Sequence, residues 1–226
     1  MIVDPVADIV VCSADSHIAP PENLVEQLMS AVDSLAKSGL LGASQGDISV
    51  RLPGTDHMLI TPLAAFVEKL DASDLIEITE ARLVRKRGRP SFSMQMHLAI
   101  YRSRPDVNAI VHSHAPVATV LGICELPIPP VTFDSVPFVD LPRVSASALE
   151  QGQWPQEVAN CLQGGAPAAL LLNNGVVTVG EDLRQAVRRA LSLEETARIL
   201  VVCYLLQQVP VTLPTQAVEI LRDSLV

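Results

Sequence analysis

A Pro-Gly turn between two short alternating segments is the feature that most restricts how this chain can fold. Pro53 and Gly54 separate DISVR from HMLIT, and both segments are rich in hydrophobic and β-branched residues. Alternate side chains of a strand face the same side of a sheet, so this pattern predicts a β-hairpin. The segments DLIEIT and ARLVRK repeat the arrangement farther along the chain. The sequence therefore predicts a mainly antiparallel sheet.

Segments with helical periodicity lie before, between and after the predicted strands. Hydrophobic residues recur at helical spacing from Leu24 to Leu35 and from Met94 to Tyr101, and the clearest helix is predicted from Glu181 to Gln208. Further strands are predicted at NAIVHSHA, TFDSVPFVD, AALLLNNG and VVTVG. The predicted fold class is therefore α/β, with a mainly antiparallel β-sheet flanked by helices on both faces.

The chain is predicted to consist of a short arm and one domain. It has 226 residues, of which 49% are hydrophobic, and this is enough for one sizeable core. Residues 1–20 contain prolines and lack periodicity, so they are predicted to form an N-terminal arm. Residues 21–226 contain no linker or low-complexity segment and are predicted to form a single domain.

The charge and cysteine patterns exclude several classes of partner. Sixteen basic and 25 acidic residues give a net charge of −9, which repels nucleic acid and anionic membranes. No apolar run reaches the length of a membrane-spanning helix, and no basic signal segment begins the chain. The four cysteines are far apart in sequence, as in reduced intracellular proteins. We therefore expect a cytoplasmic protein with neither a nucleic-acid nor a membrane partner.

The segment AIVHSHAP contains the residues that most strongly suggest chemistry. His112 and His114 are two positions apart in a predicted strand, so their imidazoles can point to the same side and converge. Two converging imidazoles can hold a divalent metal when a further ligand completes the site. They can equally form a hydrogen-bonded pair in a pocket without metal. The spacing leaves both interpretations open.

The longer segment HLAIYRSRPDVNAIVHSHAPVAT resembles the central motif of the class II aldolase/adducin family. The order of the surrounding elements is also similar: a helix, hairpins, this motif, a segment LLLNNG and a long C-terminal helix. The likeness extends over about residues 21–208. It implies the family fold, found in fuculose-phosphate aldolase-like enzymes and in the adducin head. It also implies a homotetramer with sites at its subunit interfaces.

The resemblance implies a metal site, but two of its positions are altered in this chain. In family enzymes three histidines hold a divalent metal, usually zinc, and a glutamate four positions before a helix histidine transfers protons. His112 and His114 match two of the ligands, and His97 matches the helix histidine. Asn174 stands where the third ligand is expected, and Ser93 stands where the glutamate is expected. A neutral amide is a poor zinc ligand, and a serine hydroxyl does not titrate near neutral pH.

A replacement ligand set remains an alternative. A carboxylate from Asp47 or Asp134 would give a site of two histidines and one carboxylate, which favours manganese or Fe(II) over zinc. The cofactor expected from the sequence is therefore a divalent metal, zinc first and manganese or iron second, or no metal at all.

The substrate pocket implied by the resemblance is also altered. Asp47 replaces an asparagine of the family's phosphate-binding loop, and its charge would repel a phosphate. Leu63, Ala64 and Phe92 replace small polar or glycine positions and make the pocket more apolar. We therefore expect a small, non-phosphorylated substrate. The pocket is predicted to comprise Ser44, Asp47, Thr61, Leu63, Ala64, Ser91, Phe92 and His97.

These residues leave three functional hypotheses. The first is a metal-dependent carbon–carbon lyase that catalyses aldol cleavage or decarboxylation of a non-phosphorylated substrate. The second is a non-catalytic scaffold or interaction protein with the aldolase/adducin fold. The third is an Fe(II) oxygenase-type site.

Overall fold

The computed structural model describes residues 10–11, 19–42, 46–63, 70–79, 82–85 and 89–225. Its strands are β1 (Val10–Val11), β2 (Asp47–Arg51), β3 (Met58–Ile60), β4 (Ile76–Ile78), β5 (Arg82–Arg85), β6 (Ala109–Ser113), β7 (Arg143–Val144), β8 (Ala168–Leu171) and β9 (Gly175–Gly180). Its α-helices are α1 (Glu22–Lys37), α2 (Met94–Ser103), α3 (Pro116–Ile123), α4 (Ser147–Glu150), α5 (Trp154–Cys161), α6 (Leu183–Leu205) and α7 (Thr215–Leu225). Ala72–Asp74 and Phe133–Phe138 are 3₁₀ helices.

The described strands form one sheet in the order β1-β5-β4-β3-β2-β6-β9-β8-β7. The pairs from β5 to β8 in this order are antiparallel, and only the outer pairs β1–β5 and β7–β8 are parallel. The predicted hairpins β2–β3 and β4–β5 are confirmed. Strand β6 lies between β2 and β9, so the motif that contains His112 crosses the middle of the sheet.

Helices cover both faces of the sheet, as predicted. One hydrophobic cluster packs α1, α3 and α6 against one face, and a second packs α2 and α5 against the other. Strand β6 contributes Ala109 and Val111 to the first cluster and Ile110 to the second. Because side chains alternate along a strand, His112 lies on the same face as Ile110 and therefore faces α2.

The long C-terminal helix predicted from the sequence is confirmed as α6. The Asp182 carboxylate accepts a hydrogen bond from the Gln185 backbone N–H at 2.7 Å and caps its first turn. Within α6, the buried Glu194 carboxylate accepts hydrogen bonds from the backbone N–H groups of Val117 and Ala118, at 3.1 and 3.0 Å. These contacts attach the first turn of α3 to α6, and α3 begins two residues after His114.

Several parts of the fold differ from the sequence prediction. The strand predicted at TFDSVPFVD is wrong, because Phe133–Phe138 forms a 3₁₀ helix. Pro137 has no N–H to donate to a sheet, and the Ser135 hydroxyl accepts hydrogen bonds from the backbone of Val131 and Thr132, which favours a tight turn. The short elements β1, β7 and α4, the 3₁₀ helix Ala72–Asp74, and the helix α7 after the long helix α6 were not predicted.

The N-terminal arm is described only in part. Val10 and Val11 pair with β5, and residues 1–9 and 12–18 lie outside the described residues. The division into arm and single domain stays a prediction. In the described part of the chain, no helix is both long and apolar enough to cross a membrane.

Candidate active site

The two histidines of the HSH motif come together at the end of β6. His112 is buried within the strand, whereas His114 is half-buried and follows the last strand residue, Ser113. The centroids of the two imidazole rings are 5.1 Å apart, and the ring planes are inclined by 54°. The Trp154 indole and the His112 ring form a T-shaped pair, with centroids 6.4 Å apart. The two imidazoles thus lie next to each other at the end of β6.

Two glycines allow neighbouring loops to approach the end of β6. Gly175 has a φ of +92°, and a Cβ atom there would lie 2.2 Å from the Ser113 carbonyl oxygen. Gly46 has a φ of +82°, and a Cβ atom there would lie 2.6 Å from the His112 carbonyl oxygen. Only glycine combines this backbone conformation with the absence of a side chain. These two close approaches bring Asn174 and Asp47 to His112.

Asp47 lies at the centre of the polar contacts. Its position on β2 is directly opposite His112 on β6. One carboxylate oxygen, Oδ2, accepts a hydrogen bond from the Ser91 hydroxyl at 2.5 Å and lies 3.4 Å from His112 Nδ1. The other, Oδ1, lies 2.7 Å from His97 Nε2, a close contact that is not aligned as a hydrogen bond. The buried carboxylate therefore faces two imidazoles and one hydroxyl.

The site favours different protonation states for its ionisable groups. Burial opposes ionisation of Asp47, but the charge of His97 and the contacts with His112 hold the pKa of the carboxyl well below its usual value. Burial also disfavours a charged His112, but Asp47 and the Asn174 carbonyl raise its pKa above the usual histidine value. Burial, followed by the nearby charge of His112, lowers the pKa of His114.

Ser93 and Asn174 contact opposite nitrogens of the His112 ring. The Ser93 hydroxyl lies 2.9 Å from Nδ1, and the Asn174 main-chain carbonyl lies 3.2 Å from Nε2. The Ser91 hydroxyl in turn accepts a hydrogen bond from the Ser93 backbone N–H at 3.2 Å. Both altered family positions thus touch His112, but Asn174 does so through its backbone.

A second line of contacts runs from His97 into the core. His97 Nδ1 is hydrogen-bonded to the Ser49 hydroxyl at 2.7 Å, and that hydroxyl is 2.8 Å from the Tyr101 hydroxyl. The Arg51 guanidinium lies over the Tyr101 ring, 4.6 Å from its centroid. Sequence reasoning missed Ser49 and Tyr101. The signal was their spacing, because Ser49 lies two residues after Asp47 on a strand and Tyr101 lies four residues after His97 on a helix.

The other predicted pocket residues have varied positions. The Thr61 hydroxyl is buried and accepts a hydrogen bond from the Ile48 backbone N–H at 3.1 Å. Leu63 is half-buried, and its N–H donates to the Arg89 carbonyl at 2.8 Å. The Phe92 ring is 59% exposed. Ser44 and Ala64 lie outside the described residues.

Asp134, the alternative carboxylate ligand, lies apart from this network. It is exposed and lines a separate cavity of about 420 Å³ together with Ser38 and Glu195.

The residues present do not fit the three-histidine metal centre of the family. In the described ranges, no group of three histidine, cysteine, aspartate or glutamate side chains could hold a metal ion. His112 Nε2 faces the Asn174 carbonyl, and the Asp47 carboxylate lies on the opposite, Nδ1, side of the ring. His114 and a neutral amide are then left as donors, a set with low affinity for zinc.

The fold and the histidine pair together define a class of protein. A sheet covered by helices on both faces, with two imidazoles converging at the end of a central strand, is the architecture of class II aldolases. A family model described as Class II Aldolase and Adducin N-terminal domain matches residues 26–201, and the chain belongs to this family.

Two curated relatives cover most of the chain. A 5-methylthioribulose-1-phosphate/5-deoxyribulose-1-phosphate aldolase of Rhodospirillum rubrum is 30% identical over 193 residues, which is 85% of this chain and 86% of the relative. A 3-oxo-tetronate 4-phosphate decarboxylase of Escherichia coli is 30% identical over 185 residues, which is 79% of this chain and 86% of the relative. The relatives of this chain thus include both aldolases and decarboxylases.

Solved structures agree with this assignment. An L-fuculose 1-phosphate aldolase superposes with a TM-score of 0.81 at 25% identity, covering 92% of this chain and 98% of the other. An L-fuculose-1-phosphate aldolase of Thermus thermophilus superposes with a TM-score of 0.72 at 26% identity, covering 83% of this chain and 97% of the other. The family fold therefore extends over nearly the whole chain.

Substitution of Gly175 tests the close approach that forms the site. Gly175→Ala should lower the free energy of unfolding by about 1–3 kcal/mol or more, because the new Cβ meets the β6 backbone at a positive φ. The matched control is Gly122→Ala in α3, where a Cβ meets only Leu172 Cδ2 at 3.5 Å. That substitution should be neutral or stabilising by about 0.5–1 kcal/mol. Urea denaturation measures both values, and equal effects of the two substitutions would contradict the described packing.

Proposed function

We propose that this chain is a carbon–carbon lyase that acts on a small non-phosphorylated hydroxy acid or oxo acid, with His114 as its proton-transfer residue. The observation that carries the proposal is the half-buried His114 imidazole at the end of β6, 5.1 Å between centroids from the buried His112 imidazole. In the part of the chain that the structure describes, the His114 ring makes no hydrogen bond.

The two imidazoles suit the charge changes of carbon–carbon cleavage. Aldol cleavage removes a hydroxyl proton from the substrate, and both aldol cleavage and decarboxylation leave an enolate that must be stabilised. A neutral His114 can accept the hydroxyl proton, and its lowered pKa favours that neutral form. A protonated His112 stabilises the negative charge that develops on the enolate oxygen. The raised pKa of His112 favours this protonated imidazolium. Pairs of groups with opposite pKa shifts are typical of acid–base sites.

Asp47 supports the assignment to a non-phosphorylated substrate. The printed names of the aldolase and decarboxylase relatives specify phosphorylated compounds. In this chain a buried carboxylate stands at the asparagine position of the family's phosphate-binding loop, and its lowered pKa keeps it ionised. A phosphate dianion next to this charge would be repelled. The exposed ring of Phe92 offers an apolar contact to the substrate instead.

A second candidate function is a non-catalytic scaffold with the aldolase fold. The observation that favours it is a set of contacts among the polar groups themselves: Ser91 donates to Asp47, Ser93 contacts His112, and the Asn174 carbonyl contacts the same ring. A site retained without a ligand is expected to close on itself in this way. Turnover of a substrate distinguishes the two functions.

Activity measurements on a His114 variant test the lyase. We expect His114→Gln to lower kcat by about 10²- to 10⁴-fold on non-phosphorylated hydroxy and oxo acids, because the proton acceptor is lost. The control Glu195→Gln, on the exposed side of α6, should leave kcat unchanged. The assay measures aldehyde or carbon dioxide release over a panel of acids and their phosphorylated counterparts. Turnover restricted to phosphorylated compounds, or an unaffected His114→Gln variant, would refute the proposal, and no turnover at all would favour the scaffold.

Neutralising Asp47 tests the substrate class directly. Asp47→Asn should allow inorganic phosphate to raise the Tm of the variant, whereas the wild-type Tm should not respond, because only the wild type has the repelling charge. The control Ser91→Ala removes a hydrogen bond to Asp47 but keeps its charge, so it should not respond either. An equal phosphate response in the wild type would contradict the assignment.

We propose that the protein is a homo-oligomer, with the family's tetramer as the expected form. Residues 199–218, the uncharged strip, carry no charged side chain, although the whole chain has a net charge of −9. Leu205, Val209 and Val211 in this strip are 78%, 92% and 90% exposed. Clustered exposed apolar residues of this kind are typical of surfaces that associate, and two copies of an acidic chain repel each other least where they are uncharged.

A charge introduced into the uncharged strip tests this assembly. Leu205→Glu should lower the molar mass measured by light scattering, because it places a charge in the subunit contact. Gln156→Glu adds the same charge on the exposed side of α5 and should leave the mass unchanged. A monomeric wild type would refute the assembly.

We propose that this protein is located in the cytoplasm. Cys124, Cys161 and Cys203 are free thiols, which fits a reducing compartment.

A further inference from the structure

The two nitrogens of His112 face different partners, and these partners determine what the ring can bind. Nδ1 lies 2.9 Å from the Ser93 hydroxyl and 3.4 Å from the Asp47 carboxylate. Nε2 lies 3.2 Å from the Asn174 main-chain carbonyl. A carbonyl oxygen has no hydrogen to give, so the hydrogen of this contact belongs to Nε2. A nitrogen that ligates a metal must be deprotonated, so one atom cannot serve both partners.

We infer that His112 is a hydrogen-bond donor through Nε2 rather than a metal ligand, and that the Asn174 main-chain carbonyl takes the place of a metal ion at this ring. The inference rests on the proposed function only in that both concern the same site, around His112 and His114. It implies that this member of the family works without a metal ion at His112.

The backbone around Asn174 holds this carbonyl in position. Asn174 donates its N–H to the Leu171 carbonyl at 2.8 Å, which closes the turn between β8 and β9. Asn173 and Gly175, on either side, have φ values of +66° and +92°. Gly175 also packs directly on the Ser113 carbonyl. The Asn174 carbonyl can therefore leave Nε2 only if the turn changes, whereas a side chain would need only a new rotamer.

Among the described residues, the carboxylate that contacts His112 cannot compensate for the missing ligands. Asp47 approaches His112 from the Nδ1 side, and its two oxygens already face Ser91, His112 and His97. Among the described side chains, His114 is the other imidazole beside this ring, with centroids 5.1 Å apart, and no carboxylate contacts Nε2. Such a set is short of the three protein ligands that catalytic zinc sites use.

Metal binding by the full-length wild-type chain tests the inference. Purified protein, prepared without a chelating tag, is dialysed against excess Zn²⁺, Mn²⁺ or Fe²⁺, and the bound metal is quantified by mass spectrometry beside His112→Gln. We expect no uptake that depends on His112, so the two proteins should retain equal amounts of each ion. One ion per chain in the wild type that is lost in His112→Gln would overturn the inference.

A restored ligand set provides the matched positive control. The double substitution Ser93→Glu/Asn174→His places a carboxylate and an imidazole at the two altered family positions. It should bind Zn²⁺ through His114 and the two introduced side chains and show a Zn²⁺-dependent rise in Tm. A further His112→Gln substitution should leave that rise unchanged, because the main-chain carbonyl at position 174 still faces His112 Nε2, and a loss of the rise in this variant would contradict the inference. If this variant does not fold, the wild-type comparison still decides the inference, because it uses only the native chain and one substitution.

The metal and activity measurements separate the two proposals. Turnover that persists in EDTA supports both the lyase and the absence of a metal ion at His112. Absence of metal together with absence of turnover leaves the inference standing and refutes the lyase. Turnover that requires an ion bound at His112 refutes the inference and leaves the lyase standing.

Discussion

The polar part of this site depends on one buried carboxylate. Asp47 lies between His97 and His112, and an ionised group so far from water is stable only when charges and hydrogen bonds compensate it. Ser91 supplies one of those hydrogen bonds. The carboxylate thereby fixes the orientation of two imidazoles that come from different elements, the helix α2 and the strand β6. Any ligand of this site meets rings whose positions have been set by Asp47.

Local patterns predicted the elements of the fold better than the contacts between them. The Pro53–Gly54 hairpin and helix α6 follow from turn chemistry and periodicity, which act over a few residues. The segment TFDSVPFVD shows the limit of this reasoning, since its β-branched residues suggested a strand while Pro137 and the Ser135 hydroxyl favoured a 3₁₀ turn. Where short-range preferences conflict, hydrogen-bonding capacity decided the outcome.

The candidate site was predictable in its residues but not in their roles. His112 and His114 were recognisable as a pair because residues two positions apart in a strand face the same side of the sheet. The role of Asp47 was not recognisable, because its contact with His112 depends on the register between β2 and β6, whose partners are 65 residues apart in sequence. From the sequence, Asp47 was predicted to repel phosphate and, as an alternative to Asp134, to complete a metal site, whereas its contacts with Ser91 and His97 were not predicted. The contact of Asn174 was equally hidden, since it is made by a main-chain carbonyl and no side-chain pattern reports it.

The altered positions are best understood as one change rather than several. The family resemblance places a carboxylate at position 93 and an amide at position 47, whereas this chain has Ser93 and Asp47. Ser93 and Asp47 both lie near the same atom, His112 Nδ1, at 2.9 and 3.4 Å, so in this chain the carboxylate beside that imidazole comes from β2 rather than from the start of α2. A carboxylate on the Nδ1 side stabilises a protonated ring. In the proposed metal-free site, a protonated His112 and Asn174 in place of a third histidine are compatible, because a protonated ring would repel a metal ion.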